Sequence, residues 1–109
     1  MRFAARSTKD TAFGQAIRLA YFEARLFLDG EFHTPKLRQF GISRQVASSD
    51  INYYLRTYGP VANYCPRRQR FILDRRYKPR LLDRRHHAAF AMHVENIYAL
   101  AVKRSRTNA

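Results

Sequence analysis

The sequence has little of what metal sites and disulfide-linked domains require. It contains one cysteine, Cys65, which excludes an internal disulfide framework and a cysteine-based zinc cluster within one chain. None of the four histidines stands four residues from another, so the spacing of two metal ligands on one helix face is missing as well. We therefore expect no metal site and no cofactor, and the lone cysteine favours a reducing, cytoplasmic setting.

Acidic residues are also few, and their positions do not indicate catalysis. There are 8 Asp and Glu residues, and we expect several of them at caps, turns or a helix surface, namely Asp10, Asp29, Glu31 and Asp50. No nucleophile motif accompanies them. Apolar runs are short, such as residues 88–92 and 98–102, which excludes a secretory signal and a membrane-spanning helix. We expect neither an enzyme nor a membrane partner.

What the sequence has in excess is positive charge. Lys and Arg number 21, which gives a net charge of +13, and residues 61–85 alone hold nine basic and two acidic residues. Such an excess points to a polyanionic partner, and nucleic acid is the commonest. The 109 residues contain no repeat, linker or low-complexity tract, so we expect a single domain over residues 1–109, associated with the nucleoid.

Residues 11–30 carry the pattern of one long helix. From Thr11 onward, apolar residues recur at intervals of three and four, which is typical of one helix face. Gly30 stands where this helix would end. The apolar positions are Phe13, Ile17, Ala20, Tyr21, Ala24, Phe27 and Leu28.

A helix-turn-helix is predicted next along the chain. Thr34 and Pro35 are an N-cap and first-turn pair for a short helix over residues 35–40, and Gly41 ends it. Ser43 is a good N-cap for a longer helix over residues 44–58, which Gly59 and Pro60 stop. A short helix, a glycine turn and a longer helix form this motif.

The remaining sequence predicts a small β-wing and a last helix. Strand-forming residues 61–65 and 70–74 flank a polar turn, which indicates a two-stranded wing. The fold class is therefore mainly α with a small β-wing, a winged helix-turn-helix over residues 11–82. Asp83 could cap a C-terminal helix over residues 83–104. Its apolar stripe is a predicted homodimer seam, made of Phe90, Val94, Ile97 and Ala101.

The helix over residues 44–58 has the side chains of a recognition helix. If Ile42, Ala47, Ile51 and Leu55 face the core, the polar residues at its start point away from it, where a helix in the major groove reaches base edges. The predicted base-reading residues are Arg44, Gln45, Ser48, Ser49 and Asn52. The predicted contacts to the DNA backbone are the helix cap and the arginines of the wing turn, namely Ser43, Arg67, Arg68 and Arg70.

The run FGISRQVASSDINYY at residues 40–54 resembles the recognition segment of a known family. It is similar to the N-terminal winged helix-turn-helix of WYL-domain, DeoR-like transcriptional regulators, and most similar to those that accompany bacterial phage-defence systems. Val46 departs from the polar residue common there, and no segment resembles the ligand-sensing WYL domain. The resemblance, which covers roughly residues 17–81, implies a dimeric DNA-binding repressor, and we expect no small-molecule ligand.

The sequence therefore predicts a sequence-specific regulator that binds double-stranded DNA, a homodimeric repressor that reads an inverted repeat. Two alternatives stay open. Positive charge does not distinguish DNA from RNA, so an RNA-binding or ribosome-associated basic protein is one. A winged helix that binds protein, as an adaptor or anti-repressor, is the other.

Overall fold

Three helices surround a small sheet. A computed structural model describes the backbone of residues 2–108 and the side chains of residues 12–104. Along the chain lie helix α1 (Arg2–Asp29), strand β1 (Glu31–Phe32), the 3-10 helix η1 (Thr34–Phe40), helix α2 (Arg44–Tyr58), strands β2 (Ala62–Cys65) and β3 (Arg70–Leu73), and helix α3 (Arg84–Asn108). This is the predicted winged helix-turn-helix with a C-terminal helix.

Helix α1 is longer than predicted and buries a different set of side chains. It begins at Arg2 instead of Thr11, because Ala, Arg and Lys are good helix formers and neither Gly nor Pro interrupts residues 2–13. Phe13 and Leu28, which were expected on the apolar face of this helix, are 71% and 43% exposed. Among residues 12–29, the buried ones are Leu19, Tyr21, Phe22, Glu23, Ala24 and Leu26, since other elements pack against this stretch from several sides.

The helix-turn-helix forms as predicted, except that its first helix begins one residue early, at Thr34: the N-cap is His33 and not Thr34, and no side chain caps it. Gly41 adopts the left-handed conformation, with φ 75°, at the end of η1, and its N–H bonds to the carbonyl of Arg38. Ser43 Oγ then accepts the N–H of Val46 at 3.2 Å, which satisfies a free donor in the first turn of α2. Helix α2 has the predicted bounds and ends before Gly59. Local capping chemistry therefore fixes both ends of the recognition helix.

The wing has three strands, so the prediction of two was wrong. The antiparallel sheet has the order β1-β3-β2, with Phe32 and Tyr64 paired to Phe71 from either side. Strand β1 has only two residues, too few to show an alternating pattern. Because side chains alternate along strands, Phe71 faces inward while Arg70 and Glu31 share the outer face.

Aromatic rings fill the centre of the core. Phe22 on α1 meets Phe32, Tyr54 and Phe71 edge-on, with ring centroids 5.0, 5.3 and 6.3 Å apart. Edge-to-face pairs add to the stabilisation that burial gives. Phe22 thereby joins α1 to the recognition helix and to the wing.

A buried carboxylate lies beside this ring cluster. Glu23 is 0% exposed and accepts the hydroxyl of Tyr54 and the backbone N–H groups of Arg80, Leu81 and Leu82, the latter three at 2.7 to 3.1 Å. Burial and the hydrogen bond to Glu23 raise the pKa of Tyr54 well above its usual range. Glu23 therefore fixes the segment that leads from the wing into α3.

Helix α3 packs against α1 through its first half. Asp83 Oδ1 accepts the N–H of Arg85 at 2.9 Å, as a cap does, and Ala91 is fully buried. Tyr21 donates its hydroxyl to Glu95 at 2.7 Å, and burial together with this bond raises the pKa of Tyr21 to about 12. No helix over residues 2–108 combines the length and apolar character needed to cross a bilayer.

The four residues of the predicted dimer seam do not lie on one free surface. Val94 is 9% exposed and Phe90 is half-buried, and both pack in the core of their own chain. Ile97 is 66% exposed, and Ala101 is exposed as well. The expectation of a single continuous stripe was wrong, because α1 already covers its first half.

Candidate nucleic-acid interface

Helix α2 separates a buried face from a polar one. Ala47, Ile51 and Tyr54 are fully buried, whereas the five predicted base-reading residues, Arg44, Gln45, Ser48, Ser49 and Asn52, are all exposed. Of the predicted core positions, Ile42 and Leu55 are half-buried and pack against the core. The polar face of the helix is therefore presented to solvent, as a helix that enters the major groove requires.

An ion pair beneath α2 holds the helix against α1. Asp50 was expected on the helix surface, but it is 2% exposed, and that expectation was wrong. Arg18 Nε donates to its Oδ2 at 2.5 Å, and Gln15 Nε2 donates to its Oδ1 at 3.2 Å. Since both partners lie on α1, these bonds fix how the recognition helix sits on the rest of the domain.

An open groove of about 670 Å³ runs between α2 and the wing. Its lining comes from three parts of the fold. The recognition helix contributes Arg44, Ala47, Ser48 and Asn52, the η1 region contributes His33, Thr34, Pro35 and Arg38, and the wing contributes Tyr64, Gln69 and Phe71. Hydrogen-bonding side chains and two arginines thus line one cleft.

The groove brings together three of the five predicted base-reading residues. Arg44, Ser48 and Asn52 line it, spaced four residues apart on α2, while Gln45 and Ser49 lie on the exposed surface of the helix outside the lining. Arg can bond guanine at two atoms, and Asn can do the same with adenine. The groove-facing residues therefore carry the donor and acceptor groups that distinguish base pairs.

Sequence reasoning missed three groove residues that the fold supplies. Arg38 on η1 and Tyr64 on β2 line the cleft, and Tyr64 is 49% exposed. Gln69, at the end of the wing turn, lies in it with φ 55°. The run of arginines around Gln69 signalled the wing, but no local pattern showed which side chain turns inward.

The predicted wing arginines lie elsewhere than in the groove. Arg67 is exposed at the turn. Arg68 Nη2 donates to Glu31 Oε1 at 2.7 Å, and Arg70 Nε lies 3.3 Å from Glu31 Oε2. Glu31 pairs with Ile72, and Arg70 and Ile72 lie on either side of Phe71 in β3. Because Phe71 faces inward, Arg70 and Glu31 occupy the outer face of the sheet. Ser43 is exposed at the start of α2, where its hydroxyl caps the helix.

The electrostatic field at the rim of the groove is positive. Burial, Arg70 and Lys36 together lower the pKa of His33, which favours its neutral form in the free protein. Asp74 is held by Arg76, whose hydrogen bonds lower the pKa of that carboxyl to about 2.

Within residues 12–104, no group of three or more His, Cys, Asp or Glu side chains is arranged to hold a metal ion.

A recognition helix with a polar outer face, a wing beside it and a basic groove between them define a winged helix-turn-helix of the DNA-binding class. Residues 14–94 match the family of the BrxR transcriptional regulator winged helix-turn-helix domain, and the chain belongs to that family. A search among curated proteins found no match. The resemblance to the winged helix of transcriptional regulators is thereby confirmed, and the family consists of regulator DNA-binding domains and not of enzymes.

Proposed function

We propose that the protein is a homodimeric transcriptional repressor that reads an inverted repeat in double-stranded DNA. The groove between α2 and the wing carries this proposal, because Arg44, Ser48 and Asn52 reach it from the recognition helix. Membership of the BrxR family supports DNA as the partner. The phage-defence regulators that residues 40–54 resemble support a role in controlling defence genes at the nucleoid.

The proposed contacts divide by role. Arg44, Ser48 and Asn52, together with Gln45 and Ser49 beside them, would read base edges in the major groove. Ser43, Arg67, Arg68 and Arg70 would contact phosphates and carry no sequence information. Loss of a base contact should therefore change specificity, whereas loss of a phosphate contact should weaken binding to every duplex alike.

Dimerisation is supported by the outer half of α3. Ile97 and Leu100 are 66% and 57% exposed, and Ala101 lies beside them one helical turn after Ile97. One recognition helix contacts only a few base pairs, so a second copy would extend the site that is read. A two-fold partner could cover this surface with the same surface.

Selection of duplexes from a randomised library, followed by footprinting with competitor RNA, tests the proposed partner. We expect an inverted repeat with half-sites about 10 bp or a multiple apart, and a slope of log K against log salt of roughly −5 to −9 for a dimer. A slope near zero, or stronger binding to the competitor RNA, would contradict DNA binding. Binding to a protein partner, without binding to DNA or RNA, would favour the adaptor alternative.

The role of Asn52 has a matched control on α3. Asn52→Ala should remove discrimination at one operator position and cost about 1–3 kcal/mol of binding free energy if the contact is bidentate. Asn96→Ala, another exposed helical asparagine, should leave binding unchanged. Arg68→Ala should weaken selected and random duplexes equally. Equal losses for Asn52→Ala on both duplexes would show that Asn52 does not read a base.

The dimer has its own test. Placing Asp at both Ile97 and Leu100 would put unpaired charges in the proposed seam, so the molecular mass in solution should fall to that of a monomer. Asn96→Asp adds one charge at the neighbouring position and is the control. A wild-type monomer at micromolar concentration, measured by light scattering, would refute the dimer.

A further inference from the structure

One carboxylate holds two of the three wing arginines. Glu31 Oε1 accepts a hydrogen bond from Arg68 Nη2 at 2.7 Å, and Glu31 Oε2 lies 3.3 Å from Arg70 Nε. Glu31 pairs with Ile72 in the sheet, so Arg70 is its diagonal neighbour on the same face. We name these three side chains the Glu31 cluster. It lies on the outer face of the wing, opposite the face of Phe71 that lines the groove.

The bonds of the Glu31 cluster are exchangeable. The side chains of Glu31, Arg70 and Arg68 are 31, 33 and 58% exposed, so water reaches all three. Ion pairs of this kind contribute little to stability. A phosphate offers the same guanidinium groups two acceptor oxygens in similar geometry. A DNA backbone can therefore replace Glu31 as the partner of Arg68 and Arg70 without disturbing the core.

We propose that Glu31 is an intramolecular competitor of the DNA backbone that limits how tightly the wing holds DNA. The inference rests on the proposed function, since it needs the wing arginines to contact phosphate. On binding, Arg68 and Arg70 leave the carboxylate and contact the duplex. The competition lowers the affinity for every sequence by the same factor, because phosphates are common to all duplexes.

The net charge explains what such a competitor does for a regulator. A chain with a charge of +13 should bind any duplex, and its phosphate contacts set the sequence-independent part of the affinity. A carboxylate beside the phosphate-binding arginines weakens binding to the operator and to other duplexes by the same factor, so it limits the total affinity and leaves the ratio of the two affinities unchanged. The groove residues of α2 then account for a larger share of the total affinity.

The decisive variant is Glu31→Gln, tested on a random-sequence duplex of about 30 bp, for which no operator needs to be known. We expect about three- to tenfold tighter binding at low salt and a steeper slope of log K against log salt, because salt weakens the ion pairs with Glu31 that only the wild-type protein must break. Glutamine keeps the size and the polarity of the side chain, so the fold should be retained, which circular dichroism checks.

Asp29→Asn is the matched control. Asp29 is 34% exposed and also pairs with one arginine, Arg25 at 2.9 Å, but this pair faces α3, since Arg25 also lies 3.5 Å from Glu95. The substitution removes the same charge two residues from Glu31. It should change the affinity for the random duplex less than about twofold, because only the net charge differs.

A second background isolates the arginines. In a protein that carries Arg68→Ala and Arg70→Ala, Glu31→Gln should no longer tighten binding. The proposal is overturned if Glu31→Gln binds equally or more weakly, if Asp29→Asn gives the same gain, or if the gain persists without the arginines. Wild-type protein that shows no salt-dependent binding would instead refute the proposed function itself.

Discussion

Glu23 and Glu31 lie eight residues apart and carry the same side chain, yet the fold uses them in opposite ways. Glu23 is fully buried and accepts hydrogen bonds from one hydroxyl and from three backbone N–H groups. Glu31 is partly exposed and holds two arginines whose bonds water can replace. The first carboxylate determines the architecture, and the second is free to take part in binding.

The largest expected effect on stability comes from removing the carboxylate of Glu23, and the comparison is with removal of the carboxylate of Glu31. Glu23→Ala removes the acceptor that the buried Tyr54 hydroxyl shares with three part-buried backbone N–H groups, so it should lower the free energy of unfolding by about 3–5 kcal/mol. Glu31→Ala should cost less than about 1 kcal/mol. Urea unfolding followed by circular dichroism measures both. Similar losses of unfolding free energy for the two variants would contradict the contrast between the buried and the partly exposed carboxylate.

Asp50 extends the comparison to a second buried carboxylate. Arg18→Met leaves Asp50 as an unpaired buried charge and should cost about 2–4 kcal/mol. The double variant Arg18→Met with Asp50→Leu removes both charges, and thermal unfolding should show that it recovers most of that loss. A double variant as unstable as Arg18→Met alone would mean that packing, and not the uncompensated charge, decides the effect.

On the exposed side, the backbone of the wing turn should matter more than its ion pairs. Gln69 has φ 55°, a conformation that β-branched residues avoid, so Gln69→Val should cost about 1–2 kcal/mol. Gln69→Gly should be neutral or slightly stabilising, because glycine adopts this conformation without strain. Chemical unfolding distinguishes the two variants, and equal losses would point to a lost side-chain contact instead.

The smallest effect concerns His33 at the rim of the groove. Burial and the positive charges of Arg70 and Lys36 lower its pKa in the free protein, and phosphates would raise that pKa in the complex. Binding should then take up a proton, so affinity for a random duplex should rise about two- to threefold as the pH falls from about 8 to 6. This dependence should vanish in His33→Gln and persist in His86→Gln. An unchanged pH dependence of the affinity in His33→Gln would contradict proton uptake by His33 on binding.

The predictable parts of the fold are those that local chemistry determines. The Gly41 turn, the Ser43 cap and the stop at Gly59 lie within or beside the helices that they delimit, so the sequence alone predicted the bounds of α2. The spacing of apolar residues likewise predicted which face of α2 is exposed. The groove-lining Arg44, Ser48 and Asn52 follow directly from that face.

The missed features depend on partners that are remote in the chain. Asp50 bonds to a residue 32 positions away, and Glu23 bonds to residues 57 to 59 positions away. A buried carboxylate and an exposed one look alike in a sequence until such partners are known. Strand β1 was missed for the same reason, since two residues become a strand only when β3 pairs with them.

Glu23 Oε1 alone accepts both the Tyr54 hydroxyl from the recognition helix and the N–H of Arg80 just before α3. In mechanical terms this atom is a joint between the two elements. A displacement of residues 80–82, which lead into α3, would therefore be transmitted to Tyr54 in the recognition helix through a single carboxylate.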